Sequence, residues 1–146
     1  MDSHALLGTW TLVSFVRRID GEPRHHMLGE HPSGLISYQA DGHMSAILTD
    51  PDRPWPAGVN FRDGSPADQA AAAALFSAYG GSYTLDGDVV THHVRISAWP
   101  EHVGTDLVRR VSWIDGDLLL TTEPVLTPSG KALDDQLRWH KLGYRE

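Results

Sequence analysis

Nine histidines, no cysteine and a handful of tyrosines and arginines bound the chemistry open to this chain of 146 residues. Without cysteine there is neither a thiolate metal site nor a disulfide framework. His25-His26 and His92-His93 are sequence neighbours. On an extended strand neighbouring side chains point to opposite faces, so neither pair can share one ion. His-x-His and His-Glu-x-x-His spacings are missing, and so are a phosphate loop, a dinucleotide fingerprint and a serine nucleophile elbow. The expectation is therefore no metal and no other cofactor. His4, His31 and His102 read most simply as loop or terminal residues.

What remains is a small set of hydrogen-bonding side chains, and hairpins must position them. Asp-Gly recurs at 20–21, 41–42, 63–64, 86–87 and 115–116. Four of these pairs separate segments rich in Val, Ile, Leu, Tyr, Thr and Trp, and Asp-Gly suits the type I′ turn of a two-residue hairpin. The pattern predicts strands near 8–19, 22–27, 34–40, 43–49, 81–85, 88–98, 105–114, 117–123 and 135–142. About eight to nine antiparallel strands in sequence order predict an all-β fold, a single up-and-down barrel over 1–146. A two-sheet sandwich is the alternative.

Turn register then assigns faces. A turn at 86–87 pairs Tyr83 with Val90 and carries that face through His92, Val94 and Ile96, leaving His93 and Arg95 outside. A turn at 115–116 pairs Trp113 with Leu118 and Val111 with Leu120, and their face extends to Leu107, Arg109 and Thr122. On the first strand Trp10, Leu12, Ser14 and Val16 fall together. Around 41–42, Ile36, Tyr38, Ser45 and Ile47 share one face while Leu35, Met44, Ala46 and Leu48 share the other. Both faces are apolar enough to be buried, so the sequence leaves open which lines a cavity.

Tyr83, His92 and Arg109 thus emerge as candidate catalytic residues on one lining. Arg109 and Tyr83 would polarise a carbonyl or stabilise an enolate, and His92 would act as general acid or base near neutral pH. The plainer account of each is a satisfied core side chain. For Arg138, stacking on Trp10 or Trp139 at the barrel floor is the favoured reading. Arg110 and Glu123 read as a surface ion pair.

One segment departs from the strand pattern. Ser65 as N-cap, Pro66 at the first turn and the alanine run towards Tyr79, stopped by Gly80-Gly81, predict a helix of about three turns. Leu75, Phe76 and Tyr79 give it a narrow apolar stripe, fit for a plug on the barrel's mouth or flank, with a mobile lid as the alternative. Before it, Asp50 to Gly64 forms the one long loop. Trp55 and Trp99 stand in proline-flanked loops, where large aromatics rim a pocket or cover an open end. Candidate ligand contacts are therefore Tyr38, Met44, Trp55, Phe61, Tyr79, Trp99 and Trp113.

Charge narrows the partners. Acids outnumber bases 19 to 12, for a formal net charge of −7. Arg17-Arg18 and Arg109-Arg110 each split across two faces, so no basic stripe forms and nucleic acid is not an expected partner. No apolar run reaches the roughly 20 residues that span a bilayer. The opening residues lack a basic segment and an apolar core, so no secretory signal and a cytoplasmic location are expected.

A family resemblance also emerges. Gly8-Thr9-Trp10 matches the Gly-x-Trp signature of the lipocalin superfamily. With it come Leu7…Ser14-Phe15, the run Gly34 to Ser45, Tyr79-Gly80-Gly81-Ser82-Tyr83-Thr84, Thr91-His92-His93-Val94 and Gly104-Thr105…Arg109-Arg110. Together these resemble the bacterial and fungal lipocalin-like domain proteins over nearly the whole chain. The resemblance implies a calycin-type barrel with a helix inserted mid-chain. It implies less about activity, although related barrels catalyse cyclisations or isomerisations without a cofactor.

The resulting expectation is a monomer or homodimer that binds a small, mostly apolar, carbonyl-containing molecule inside the barrel. The first reading is a cofactor-independent cyclase, isomerase or dehydratase of natural-product metabolism. The alternative is a non-catalytic carrier or sensor, and a third is an interaction module whose barrel is filled by its own side chains.

Overall fold

A computed structural model describes residues 2–146, and its chain path is dominated by hairpins. The strands are β1 (Gly8–Ile19), β2 (Glu22–His26), β3 (Ser33–Tyr38), β4 (His43–Thr49), β5 (Phe76–Asp86), β6 (Val89–Ser97), β7 (Asp106–Ile114), β8 (Asp117–Thr122), β9 (Val125–Leu126) and β10 (Ala132–Lys141). Helix α1 (Pro66–Ala74) is inserted between β4 and β5. The strands pair in the order β2-β1-β3-β4-β5-β6-β7-β8-β10-β9, and β1 also pairs with β10. Eight antiparallel strands therefore close on themselves, which removes their edges, while β2 and β9 extend the sheet at one end. The barrel, not the sandwich, is the fold. Among the described residues no helix is long and apolar enough to cross a membrane.

The turns explain the register. Asp20-Gly21 and Asp115-Gly116 place both residues at positive φ, as a type I′ turn requires. Trp113 accordingly pairs with Leu118 and Val111 with Leu120, as the sequence predicts. At 86–87 only Gly87 has positive φ, and Asp86 stays in the strand opposite Val89. Tyr83 therefore faces His92 rather than Val90, a slip of two residues that leaves the faces unchanged.

At 41–42 the expectation fails. Only Gly42 is left-handed, with φ 87°, and the Gln39 amide donates to the His43 carbonyl. Ala40, Asp41 and Gly42 thus form a three-residue loop. The odd loop reverses parity across the hairpin, so Tyr38 pairs with Met44 and Ile36 with Ala46. Ile36, Tyr38, Met44, Ala46 and Leu48 all turn inward, while Leu35 and Ile47 face out.

Two bulges reverse parity again. In β1 the register with β10 jumps between Leu12 and Ser14. Trp10 and Leu12 point inward below it, and above it Phe15 and Arg17 take over from the expected Ser14 and Val16. In β6 Gly81 pairs with Val94 but Gly80 with Ile96, so Arg95 is the extra residue. Ile96, expected inside, is 71% exposed.

The predicted helix is also shorter. Ser65 caps it, accepting from the Asp68 amide at 3.1 Å, but it ends at Ala74. Phe76 to Ser82 is strand, paired residue for residue with Thr49 to His43. The alanine run favours helix locally, yet β4 needs a partner to close the barrel, and tertiary pairing overrides propensity.

One end of the barrel is a floor. A 3-10 turn, Ser3–Leu6, buries Leu6 there, and the Trp10 indole N–H donates to the Leu6 carbonyl at 3.0 Å. Lys141, rather than Arg138, covers Trp10, with its ammonium 4.7 Å from the ring centroid and donating to the Leu7 carbonyl. Gly8, in the left-handed region at φ 117°, leaves room for that ammonium. Arg138 instead turns to Asp117, at 2.7 Å, and Arg110 pairs with Asp88 at 3.0 Å rather than with Glu123. Met44, Val90, Leu118 and Trp139 fill the barrel above the floor, and each large buried apolar side chain contributes about 1.5–3 kcal/mol.

Candidate functional site

The other half of the barrel is hollow. A cavity of about 330 Å³ begins above the packed floor and opens at the end lined by Met27 and Leu28 after β2, Ala74 of α1 and the Pro100–His102 turn. Most of its wall is apolar, with Phe15, Ile36, Leu48, Leu120 and Leu137 facing inward from different strands and Leu28 from the β2–β3 connection. That volume sits at the small end of the range for small-molecule sites, about 300–1,000 Å³. It argues against a barrel filled entirely by its own side chains.

His92 stands at the base of the cavity and is 1% exposed. Alternation along β6 puts it inward, and the register places β3 and β5 tyrosines on either side. Its Nε2 lies 2.6 Å from the Tyr38 hydroxyl and its Nδ1 2.8 Å from the Tyr79 hydroxyl. Burial, with smaller contributions from Arg109 and His93, pushes the His92 pKa down to about 3. The ring is neutral at pH 7 and both nitrogens are engaged, so the expected acid–base role near neutral pH has no free proton site to work through.

Polar satisfaction also orients this chain of groups. Tyr38 is 2% exposed and, among the described residues, its hydroxyl hydrogen-bonds to His92 alone. If it only accepted, its own proton would be buried without a partner, which is costly. Tyr38 therefore donates to Nε2, and the Nδ1–H donates to the Tyr79 oxygen. The Tyr79 O–H is left free to point into the cavity. Burial holds Tyr38 well above the ordinary phenol range and pushes Tyr79 up to about 12, so both stay protonated donors.

Arg109 reaches the same cavity from β7, as alternation predicts. One of its N–H groups donates to the Val108 carbonyl at 3.0 Å, and no carboxylate among the described residues lies within ion-pair distance. Trp99 lines the mouth beside His102, with ring centroids 5.8 Å apart. His102, a simple loop residue by its sequence context, lines the cavity, and its Nδ1 is buried without a partner among the described residues. Arg17 and Asp135 were missed altogether. They sit opposite each other on β1 and β10 and join by two hydrogen bonds of 2.8 and 3.1 Å. Alternation alone could not find Arg17, because the bulge near Val13 turns it inward.

Several expected site residues lie elsewhere. Tyr83 packs edge-on against Tyr38, centroids 4.9 Å apart, and donates to the Gln39 carbonyl, on the floor side of His92. Met44 is core, and Trp113 is 42% exposed beside Trp10. Trp55 stacks on Phe61 at 5.4 Å and donates to the Val59 carbonyl, so the long loop packs on itself outside the cavity. Arg53 fastens that loop by donating to the Ala72 carbonyl at 2.9 Å. Tyr38 reaches the site only through His92.

On the outer wall, His93 bridges Thr84 at 2.9 Å and Asp106 at 2.8 Å. The atoms are ordered as in a hydrolase triad, but they lie across an exposed sheet rather than in the cavity. A cross-strand ladder accounts for them.

The lipocalin-like domain family matches this chain over residues 7–142. The 4'-hydroxy-3'-methoxypropiophenone carrier protein ppsC of Aspergillus oryzae (strain ATCC 42149 / RIB 40) is 33% identical over 108 residues. That alignment covers 68% of this chain and 96% of that protein.

Proposed function

We propose, from the premise that this chain belongs to the lipocalin-like domain family, that it binds and carries a small, mostly apolar molecule with an oxygen acceptor at one end. The observation that carries this reading is the half-hollow barrel, apolar round its wall, with the donors Tyr79 and Arg109 gathered on it. An apolar body would fill the wall and an oxygen would meet the donors. The relative named as a carrier of an aryl ketone supports a ligand of that class here.

The cyclase, isomerase or dehydratase reading needs a group that moves a proton at neutral pH. His92, the residue expected to do so, is locked between two tyrosines. Arg109 and Tyr79 would orient a carbonyl equally well for a carrier, so carriage is the reading adopted.

Quenching of Trp99 and Trp139 fluorescence by propiophenones should report one-to-one binding, and mass spectrometry should recover the ligand unchanged. Leu107→Trp, which fills the cavity from β7, should weaken binding at least tenfold while the protein stays folded by circular dichroism. Conversion of the ketone would favour the enzyme reading. Binding that Leu107→Trp leaves intact would remove the barrel interior as the site.

A further inference from the structure

We propose that the cavity takes its ligand as an oxyanion, an acidic phenol or enol conjugated to a carbonyl, deprotonated and held by Arg109. This rests on the binding reading above and adds which protonation state is bound.

The case starts from an imbalance of hydrogen-bonding roles. Asp135 is the carboxylate on the lining, and Arg17 already claims both of its oxygens. Arg17, Asp135 and Arg109 together leave the lining one positive charge in excess, inside a chain whose net charge is −7. The guanidinium of Arg109 uses one N–H on its own strand and has others to offer. The Tyr79 hydroxyl is committed as an acceptor from His92 and keeps its proton for a ligand. A third donor comes from β10. Trp139 is 1% exposed, lines the cavity, and its indole N–H has no partner among the described residues.

Every titratable or charged group facing Arg109 across the cavity fits this reading. From β1 and β10 come Arg17 and Asp135, which cancel. From β5 and β6 come Tyr79 and His92, both uncharged at neutral pH, with Tyr38 of β3 behind them. From the Pro100–His102 turn comes His102, whose Nδ1 is unpaired. A neutral phenol would set its own O–H among three donors, with the His102 Nδ1, in its acceptor tautomer, as the unpartnered atom that could take it. Losing its proton to solvent turns the ligand oxygen into an acceptor for several N–H and O–H groups at once. It also gives Arg109 a counter-charge in a water-poor space, where the attraction is strong. No bond other than O–H breaks, and the proton leaves to the buffer.

The probe is 4'-hydroxypropiophenone, whose phenolate absorbs at longer wavelength than its phenol, with propiophenone as the control that has no proton to lose. Absorbance is titrated against pH with saturating protein. The bound probe should ionise at least one pH unit below the free probe. Arg109→Met should remove that shift, while Arg110→Met, which loses only an outward arginine paired with Asp88, should keep it. Calorimetry of the unaltered protein, one pH unit below the free probe's pKa and in two buffers of different ionisation enthalpy, should show at least about 0.4 proton released per probe bound, because a one-unit shift takes the probe from about one-tenth to one-half ionised. This measurement stands even if Arg109→Met does not fold. A bound probe with an unshifted or raised pKa and no proton release would overturn the oxyanion inference and leave ligand carriage standing. Failure of both ketones to bind would overturn carriage and the inference with it.

Discussion

Acidification from pH 6.5 to pH 4 should cost the folded protein about 3 kcal/mol through His92 alone. Burial holds the folded ring down at about 3, whereas the unfolded chain's histidine keeps its ordinary value of 6.5. Above 6.5 both states hold a neutral ring and the stability is fully present. Below it the unfolded chain takes up a proton that the folded chain refuses, so stability falls as the pH drops towards 3. Asp117 adds a separate loss at lower pH. His140 and Arg138 hold its carboxyl below the ordinary value of 3.8, so its contribution fades only below that point. Urea melts at intervals between pH 7 and pH 4 would measure the His92 slope. A variant carrying Tyr38→Phe, His92→Leu and Tyr79→Phe together replaces the whole polar chain with apolar groups, and it should lose that part of the slope. An equal slope in both proteins would place the acid sensitivity elsewhere.

Gly81→Ala should be the most damaging single methyl group in the chain. Gly81 sits at the β5–β6 bulge, where an added Cβ would run into the His93 carbonyl oxygen and lie 3.0 Å from the Arg95 amide. Both obstacles are backbone, so neither can swing aside as a side chain would. The cost should be about 3 kcal/mol. At roughly 2–4 °C per kcal/mol for a chain of this size, the thermal midpoint should fall by about 6–12 °C. Gly80→Ala is the fitting control, because its Cβ would meet the Met44 carbonyl at 3.3 Å, a tight contact that a shift of a few tenths of an ångström relieves. The two variants should therefore separate clearly in thermal melts. If they melt together, the bulge is not the constraint described here.

These two sites show how far the amino-acid order reached. Alternation on β6 and β7 was enough to put His92 and Arg109 inside and His93 outside. The turn at Asp115-Gly116 set its hairpin's register without help from the rest of the chain. So did the slip at 86–87, in effect, because a two-residue shift preserves the face. The Gly-x-Trp strand and the recurrent hairpins made the barrel legible, while residues 76–79 did not announce themselves as strand, because an alanine-rich run carries a helical propensity that only pairing with β4 overrides.

The polar side of the cavity was decided later, by closure. A side-chain period of two carries no memory of an inserted residue, so a three-residue loop at 40–42 and bulges near Val13 and Arg95 each reversed the faces beyond them. Those reversals drew Arg17 inward, turned Ile96 outward and put Tyr38 and Met44 on the same inner face. Pairing Arg17 with Asp135 further requires the first and last strands to meet, a contact between residues 118 positions apart. Local sequence thus determined the strands and the inward placement of His92 and Arg109. Which tyrosines hold His92, and which arginine is left without a carboxylate, depended on how the strands bulge to close the barrel.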